Sequence, residues 1–538
     1  MKRRQALLSL AAAPCLPTKA ADEVSLQYAN PYEDVEWDTC EFVPSMSHQH
    51  QGTTLSSLET FHEMGYRHFA YSNYYPSAPT ELLPAFREKY PEAVWAPNAE
   101  QHSFLDTGLH FNSLGSRLAT GFGKYLSIEE RKASPLTYRF ENLVPFHRDR
   151  PWEGVYRLDI SLEGSVDSPA VLSLDGANAC NRKADFADDG PIQKQLLPAG
   201  KHTLYIRMKS EAVDVTLEYS PDEISVGQFR LMQGTNRPWR DVFRAALDGE
   251  IRRGKSSGGL LYADGGGITL NHPTGELDEY LEMLDFDSRV LGIEVWNQLT
   301  SGFGSNRGFY SSMKEPPGYF YKLWDQILAT GRRCWGFFVK DHNTYGRGRN
   351  ILLAPSLEGL SSEERERALL RAYRDGVFFG SVASIATDEN GNTVQPYDQS
   401  RFRFCNLRLR KDSSGSVVAV EAAVTGNHPD RTSNVQIRFI TDRGVAHVID
   451  AEKGELPISK SLPPAFVRVE ACAYPDTHKN GEPLTAELIR GLTPAKIATL
   501  HDRQYERGPG FFGNSAELRT PLPIADQIFS QPIMRITS

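Results

Sequence analysis

The sequence predicts an α/β fold that is interrupted by one β-rich segment and followed by another. Three observations predict it. Helical and strand patterns alternate over residues 22–135 and return over residues 226–395. Residues 136–225 instead carry short alternating strands with Gly, Pro and Asp turns, as in an inserted β-sandwich. Residues 396–538 return to strand alternation and predict a second, C-terminal β-sandwich.

Individual elements follow from periodicity and end signals. Residues 55–65 (LSSLETFHEMG) place apolar residues at helical spacing and stop at a glycine. Residues 240–249 and 319–331 predict further helices, each ended by a glycine. Residues 361–376 predict a helix that begins with a Ser-x-x-Glu capping box. The apolar runs GGITLN, VLGIEVWN and CWGFFV predict buried strands that lead into polar loops.

Composition and charge exclude some classes of function. Apolar residues make up 40% of the 538 and aromatic residues 10%, which is enough for several cores. The formal net charge of -9 argues against a general nucleic-acid binder, because such proteins present basic surfaces. We also expect no membrane-spanning helix, since no run of about 18 apolar residues follows the amino-terminal segment. Nothing in the sequence indicates an oligomeric state.

Residues 1–21 predict an export signal. They read MKRRQALLSLAAAPCLPTKAA, in which Arg3 and Arg4 precede a short apolar stretch and a small-residue end. This pattern is typical of bacterial export signals, including the twin-arginine type that moves folded proteins. We therefore expect a periplasmic or secreted protein.

A His-x-His pair follows the first predicted strand. Side chains alternate along an extended chain, so His48 and His50 project to the same side and could hold one metal ion. Such a pair alone is more often two surface histidines, so the case for a metal site depends on the residues that follow it. They come at later strand ends, in the order Glu100, His110, His272, Glu294 and Asp341.

This ordered set resembles the polymerase-and-histidinol-phosphatase (PHP) family. The resemblance covers residues 42–118 and 268–381. It implies a distorted (β/α)7 barrel with metal ions at its mouth, where the carboxyl ends of the strands meet. It further implies two divalent ions, and imidazole-plus-carboxylate donors accept zinc, manganese or iron. The first ion would take His48, His50, Glu100 and Asp341; the second would share Glu100 and add His110 and His272. Glu294 and Asn297 are interpreted as supporting residues.

A third metal site of the family is absent. The positions that would supply its histidines hold Ser56, Tyr74 and Asn343. Because all three differ together, we interpret the site as lost as a unit. Tyr74 and Tyr75 would then either line a substrate pocket or fill the space as core.

The resemblance implies metal-dependent hydrolysis of a phosphomonoester or phosphodiester. Water between two divalent ions loses a proton near neutral pH and can attack phosphorus. His102 is a candidate proton donor to the leaving group, although a weak ligand role or packing is equally open. Lys340 and Arg347, together with Arg349, are candidates for binding phosphate oxygens, and a solvated loop is the alternative. The β-sandwiches favour a sugar phosphate or a phosphorylated glycan as substrate, by association alone.

Two alternatives remain open. The loss of the third metal is also consistent with a PHP-type barrel of changed bond specificity. The barrel could instead be a non-catalytic scaffold whose sandwiches bind carbohydrate or a partner. A scaffold has no reason to keep six donor side chains together, so metal analysis of the purified protein separates it from both enzymes.

Overall fold

The structure, a computed structural model, is predominantly β: strands account for 45% and helices for 20%. No helix in the described part of the chain is both long and apolar enough to cross a membrane. The structure describes residues 25–50, 55–74, 83–101, 104, 106–117, 122–125, 128–141, 155–180, 193–208, 212–233, 238–249, 259–273, 275–297, 320–341, 348–382, 401–426, 434–477, 483–498, 501–506, 520–523 and 525–536. The predicted export signal lies outside these residues.

The elements up to residue 249 are mostly short strands. In chain order they are β1 (Tyr28–Ala29), β2 (Glu41–Met46), α1 (Leu55–Glu63), β3 (His68–Phe69), β4 (Asn73–Tyr74), α2 (Pro84–Lys89), β5 (Val94–Trp95), β6 (Ala99–Gln101), β7 (His110–Leu114), β8 (Phe122–Tyr125), α3 (Ile128–Arg131), β9 (Leu136–Glu141), β10 (Val155–Gly164), β11 (Ala170–Asp175), β12 (Ala177–Cys180), β13 (Lys194–Leu197), β14 (Gly200–Met208), β15 (Ala212–Glu218), β16 (Ile224–Gln233) and α4 (Trp239–Asp248).

The remaining elements include the longest helix. They are β17 (Gly267–Asn271), α5 (Leu277–Phe286), β18 (Val290–Asn297), α6 (Tyr321–Ala329), β19 (Trp335–Val339), β20 (Gly348–Ala354), α7 (Ser362–Asp375), β21 (Phe378–Val382), β22 (Arg403–Lys411), β23 (Val417–Thr425), β24 (Asn434–Thr441), β25 (Gly444–Ile449), β26 (Lys453–Pro457), β27 (Phe466–Tyr474), α8 (Ala486–Arg490), α9 (Pro494–Ala498), β28 (His501–Glu506), β29 (Thr520–Pro523), β30 (Asp526–Ser530) and β31 (Ile533–Arg535).

The expected (β/α)7 barrel is wrong. Such a barrel needs a helix after nearly every strand, whereas strands here cover more than twice as much chain as helices, which indicates a β-rich fold. Antiparallel pairs are common among the strands that carry or flank the predicted site: β2 pairs antiparallel with β20, and β7 with both β6 and β17. β20 and β21 pair antiparallel although α7 lies between them in the chain, whereas strands joined by a helix in such a barrel run parallel.

Two mixed sheets carry the predicted site residues. One has the order β19-β18-β17-β7-β6-β4. The other is eleven-stranded, with the path β1-β31-β27-β30-β21-β20-β2-β3-β5 and β24 and β25 joined to β27. Strands β17, β18 and β19 are buried along their whole length, which explains their nearly continuous apolar sequences. Their ends, and the end of β2, bring polar residues to one place.

The chain between β8 and β16 forms two antiparallel sheets around a shared core. Their orders are β12-β14-β10-β16-β8 and β13-β11-β15-β9. Alternate residues of the strands point inward, for example Leu158, Ile160 and Leu162 of β10. The inward side chains of both sheets belong to one cluster. This is a face-to-face packing of two β layers.

The C-terminal strands extend the large sheet. β30 pairs antiparallel with both β21 and β27, so residues 526–530 lie between strands from distant parts of the chain. A three-stranded sheet, β22-β23-β26, packs against this sheet. Phe404 and Leu407 of β22 share one core with Ile437 and Val467 of the large sheet.

The predicted helix ends are confirmed where the structure describes them. The Ser361 Oγ accepts the Glu364 N–H at 3.3 Å, and the Glu364 carboxylate accepts the Ser361 N–H at 2.8 Å. Helix α7 ends at Gly376, whose φ of 73° lies in the left-handed region that glycine adopts without strain. The helices predicted at 55–65 and 319–331 correspond to α1 and α6.

Arg468 of β27 is a buried ion-pair centre that joins the large sheet to helix α6. Its Nε donates to Asp325 Oδ1 at 2.8 Å, its Nη2 donates to Asp325 Oδ2 at 3.0 Å, and its Nη1 pairs with Glu470. The guanidinium lies 4.9 Å from the ring centroid of Tyr321 and 4.8 Å from that of Trp324. The pairing therefore combines charge, fork geometry and stacking.

We expect Arg468→Ala to lower the free energy of unfolding by about 3–5 kcal/mol, because it leaves Glu470 buried without its partner. Urea unfolding of the wild type and of Arg468→Ala measures this difference in the free energy of unfolding. Arg332→Ala is the matched control: Arg332 pairs with Asp285 at 2.7 Å on the surface, so its loss should stay below about 1 kcal/mol. Equal losses in the two variants would contradict this account of Arg468.

Candidate metal centre

Six predicted donors meet where strands of the two sheets end. With their elements, they are His48 and His50 after β2, Glu100 in β6, His110 at the start of β7, His272 after β17, and Asp341 after β19. Two backbone hydrogen bonds join the first and last of these segments: Asp341 N–H donates to His48 O at 3.1 Å, and His50 N–H donates to Asp341 O at 3.2 Å. The β2 and β19 ends thus run side by side.

The first group comprises His48, His50, Glu100 and Asp341. The Nε2 of His48 lies 3.5 Å from a Glu100 oxygen and 3.4 Å from Asp341 Oδ1. The Nε2 of His50 lies 2.9 Å from Glu100 and 3.4 Å from the same Asp341 oxygen. The two Nε2 atoms are 3.0 Å apart. The donor atoms of His48, His50 and Glu100 lie within 4.8 Å of one another, and Asp341 approaches both histidines; we call these four residues cluster A.

The second group shares Glu100. The Nδ1 of His110 lies 3.1 Å from Glu100 Oε1, and the Nε2 of His272 lies 3.3 Å from that oxygen. The two imidazole rings make an edge contact with centroids 4.8 Å apart. The donor atoms of these three residues lie within 4.8 Å of one another. We call this group cluster B; Glu100 is the member that both clusters have in common.

The spacing and chemistry of the donors fit a metal ion. Metal–ligand bonds of about 2.1 Å in a tetrahedron put the ligand atoms about 3.4 Å apart. The contacts within cluster A run from 2.9 to 3.5 Å, and the contacts to Glu100 in cluster B are 3.1 and 3.3 Å. Imidazole and carboxylate together are ordinary ligands of divalent transition metals. The residues present can therefore hold a metal at either cluster.

Burial and charge explain the protonation of the site. Burial alone would lower the pKa of His48, but the carboxylates of Asp341, Glu294 and Glu100 raise that pKa well above its usual value. Burial likewise disfavours charge on His272, yet its hydrogen bond to Glu100 raises the pKa of His272. Burial would raise the pKa of Glu100, but His48 and His110 hold that pKa well below its usual range. The buried carboxylates thus attract positive charge, and a metal cation competes for the same place as those protons.

Glu294 of β18 contacts the ring nitrogen of His48 that does not face the other donors. It is fully buried, and its Oε1 lies 2.6 Å from His48 Nδ1. A carboxylate at Nδ1 fixes the tautomer in which Nε2 carries the free lone pair, which faces the other donors of cluster A. Asn297 donates to Glu294 at 2.7 Å and to Asp341 at 3.2 Å. The sequence indicated a supporting role for both residues, but it could not show which donors they contact.

Two of the donors have strained backbones. Among the described residues other than glycine, only His272 and Asp341 have positive φ, at 22° and 53°. Such conformations cost roughly 1–3 kcal/mol each and persist only where the surroundings impose them. Here the strain directs two side chains from different loops toward the shared Glu100 and cluster A.

Of the three candidate catalytic residues, the structure describes Lys340. Lys340 is buried, and its ammonium lies 4.6 Å from the ring centroid of Tyr66 and 5.3 Å from that of Phe61, in the core beside α1. Arg349 is also buried and donates to the Met64 carbonyl at 3.2 Å. The others lie outside the described residues: His102, Arg347, Asn343 and the side chains of Tyr74 and Tyr75. Ser56 is exposed on α1.

No protein-family model matches this chain, and no curated protein matches it either.

Proposed function

We propose that this protein is a metal-dependent hydrolase that cleaves phosphoesters at the centre formed by clusters A and B. The observation that carries the proposal is the shared Glu100: one buried carboxylate lies 2.9–3.5 Å from four histidines that come from three separate segments of the chain. A carboxylate placed in this way can bridge two cations. The proposal is therefore for two divalent ions, of zinc, manganese or iron.

Divalent ions bound at such a pair of sites supply Lewis-acid chemistry, since they lower the pKa of water and neutralise charge on phosphate oxygens. The protein's own part is to hold and orient the donors. Glu294 keeps His48 in one tautomer, and the paired backbone bonds between His48, His50 and Asp341 fix the geometry of cluster A. Such fixed positions avoid reorganisation during the reaction.

The exposure of the donors indicates the side from which substrate approaches. The side chains of cluster A are at most 6% exposed, whereas His110 is 30% and His272 14% exposed. Cluster B therefore faces the open side. A phosphoester would reach the centre past His110 and His272, with cluster A at the closed end.

The location and substrate class of the proposal rest on the sequence. Arg3 and Arg4 with the following apolar stretch favour export to the periplasm or beyond. The predicted β-sandwiches favour a phosphorylated sugar or glycan, which is an argument by association.

Hydrolysis of a chromogenic phosphodiester by the metal-loaded protein tests the proposal. We expect hydrolysis that a chelator abolishes, and a loss of at least about 100-fold in His50→Ala, which removes a donor from cluster A. The matched control is His62→Ala: His62 pairs with Glu92 at 2.6 Å on α1, away from both clusters, and its loss should leave the rate unchanged. Bound metal without hydrolysis of a phosphomonoester or phosphodiester would indicate a different bond specificity. A protein that binds no metal would overturn the proposed enzyme activity.

A further inference from the structure

The two oxygens of Glu294 contact donors of different clusters. Oε1 lies 2.6 Å from Nδ1 of His48, which belongs to cluster A. Oε2 accepts the backbone N–H of His272, which belongs to cluster B, at 2.5 Å. Glu294 itself is 0% exposed and lies inside β18, so its position is fixed by the sheet. One buried carboxylate that is not among the six donors thus touches both halves of the centre.

The contact to His272 occurs where the backbone is strained. His272 has a φ of 22°, and its N–H would be an unsatisfied buried donor without Glu294. Asn297 donates to the same Oε2 at 2.7 Å and extends the link to Asp341, the other strained donor, at 3.2 Å. Glu294 and Asn297 together therefore hold both strained positions in place.

The chemistry of the contacts requires a carboxylate. When His48 presents its Nε2 lone pair to cluster A, its Nδ1–H, the His272 N–H and the Asn297 amide all donate to Glu294, so both oxygens must accept. A glutamine has one acceptor oxygen and one NH₂ group. If its NH₂ faced His48, the imidazole would have to move its proton to Nε2 and would lose the lone pair needed for a metal. If its NH₂ faced His272, two donors would oppose each other at the strained backbone.

We infer that Glu294 is a positioning residue that couples the two clusters, so that its carboxylate sets the ion affinity of both. This inference rests on the proposed two-ion centre and goes beyond it, because a residue that only orients His48 would affect cluster A alone. Loss of a hydrogen-bond partner behind a metal ligand typically weakens metal binding by about 10–100-fold. Glu294→Gln should therefore weaken binding at each of the two sites by about that factor.

Cobalt(II) titration of the full-length protein tests the inference, followed by calorimetry and by visible absorption. We expect two ions in the wild type, and two ions with both affinities lowered in Glu294→Gln. Glu366→Gln is the matched control, since Glu366 of α7 is a half-buried carboxylate that accepts the Tyr262 hydroxyl at 3.4 Å instead of contacting the clusters; this variant should bind cobalt as the wild type does.

Several results would overturn the coupling. These are an unchanged cobalt titration of Glu294→Gln, a loss confined to one site, and a wild type that binds fewer than two ions. If Glu294→Gln fails to fold, Asn297→Ala removes one link to the same carboxylate and should lower both affinities to a smaller extent; no change there would also overturn the coupling. Cobalt binding with the expected coupling but without phosphoester hydrolysis would sink the proposed function and leave this inference standing.

Discussion

Glu100→Gln is expected to abolish hydrolysis and to reduce bound metal from two ions to fewer than one. Glu100 contacts His48, His50, His110 and His272, so it is the one donor that both clusters need. The glutamine is nearly the same size but cannot bridge two cations with two anionic oxygens. Several kcal/mol of charge stabilisation would be lost, which corresponds to a rate loss of about 10³-fold or more. Metal analysis and phosphodiester hydrolysis measure the two effects.

The control for this substitution is Glu92→Gln. Glu92 also pairs with a histidine, His62, at 2.6 Å, but this pair lies on the surface and belongs to neither cluster. Metal content and rate should match those of the wild type. If Glu100→Gln kept two ions and a normal rate, the shared carboxylate would have no role and the two-cluster centre would be wrong.

Removal of metal is expected to destabilise the folded protein by several kcal/mol. The carboxylates of Glu100, Glu294 and Asp341 are buried together, and a bound cation offsets their mutual repulsion. Each site saturated at 100 times its dissociation constant adds about 2.7 kcal/mol to the free energy of unfolding. Urea unfolding with added metal and with excess chelator measures the difference.

The dependence on metal should vanish when the donors are removed. In Glu100→Gln, chelator and metal should give nearly the same unfolding midpoint, although the variant itself differs in stability from the wild type. If the wild type unfolded at the same urea concentration with metal and with chelator, the clusters would not bind ions in the folded state. An equal metal effect in Glu100→Gln would place the ions elsewhere.

The donor set could be predicted from the sequence because each donor lies in or beside a predicted strand or at a strand end. His48, His272 and Asp341 each come within two residues of the end of β2, β17 or β19. Polar residues at the ends of neighbouring strands meet at one sheet edge, whereas the grouping of the donors into two ion sites came from the resemblance to the PHP family. The positive φ of His272 and Asp341 could not be predicted from the sequence, because histidine and aspartate adopt positive φ more often than most residues but still do so at few positions.

The arrangement of the strands into sheets could not be predicted. The apolar runs of β20, β21 and β30 fit a buried strand of either direction, and periodicity does not reveal the partner of a strand. The antiparallel pairing of β21 with β30 joins residues about 150 positions apart, and nothing local specifies it. Lys340 illustrates the same limit on a smaller scale: a lysine beside a predicted ligand suggested phosphate binding, whereas its ammonium lies over Tyr66 and Phe61.

Anomalous X-ray diffraction from crystals of the metal-loaded protein tests the central claim most directly. The account predicts two peaks, one bonded to His48, His50 and Asp341 and the other to His110 and His272, with an oxygen of Glu100 about 2.0–2.2 Å from each. An anomalous map without peaks, or with ions that do not contact Glu100, would contradict the two-cluster centre.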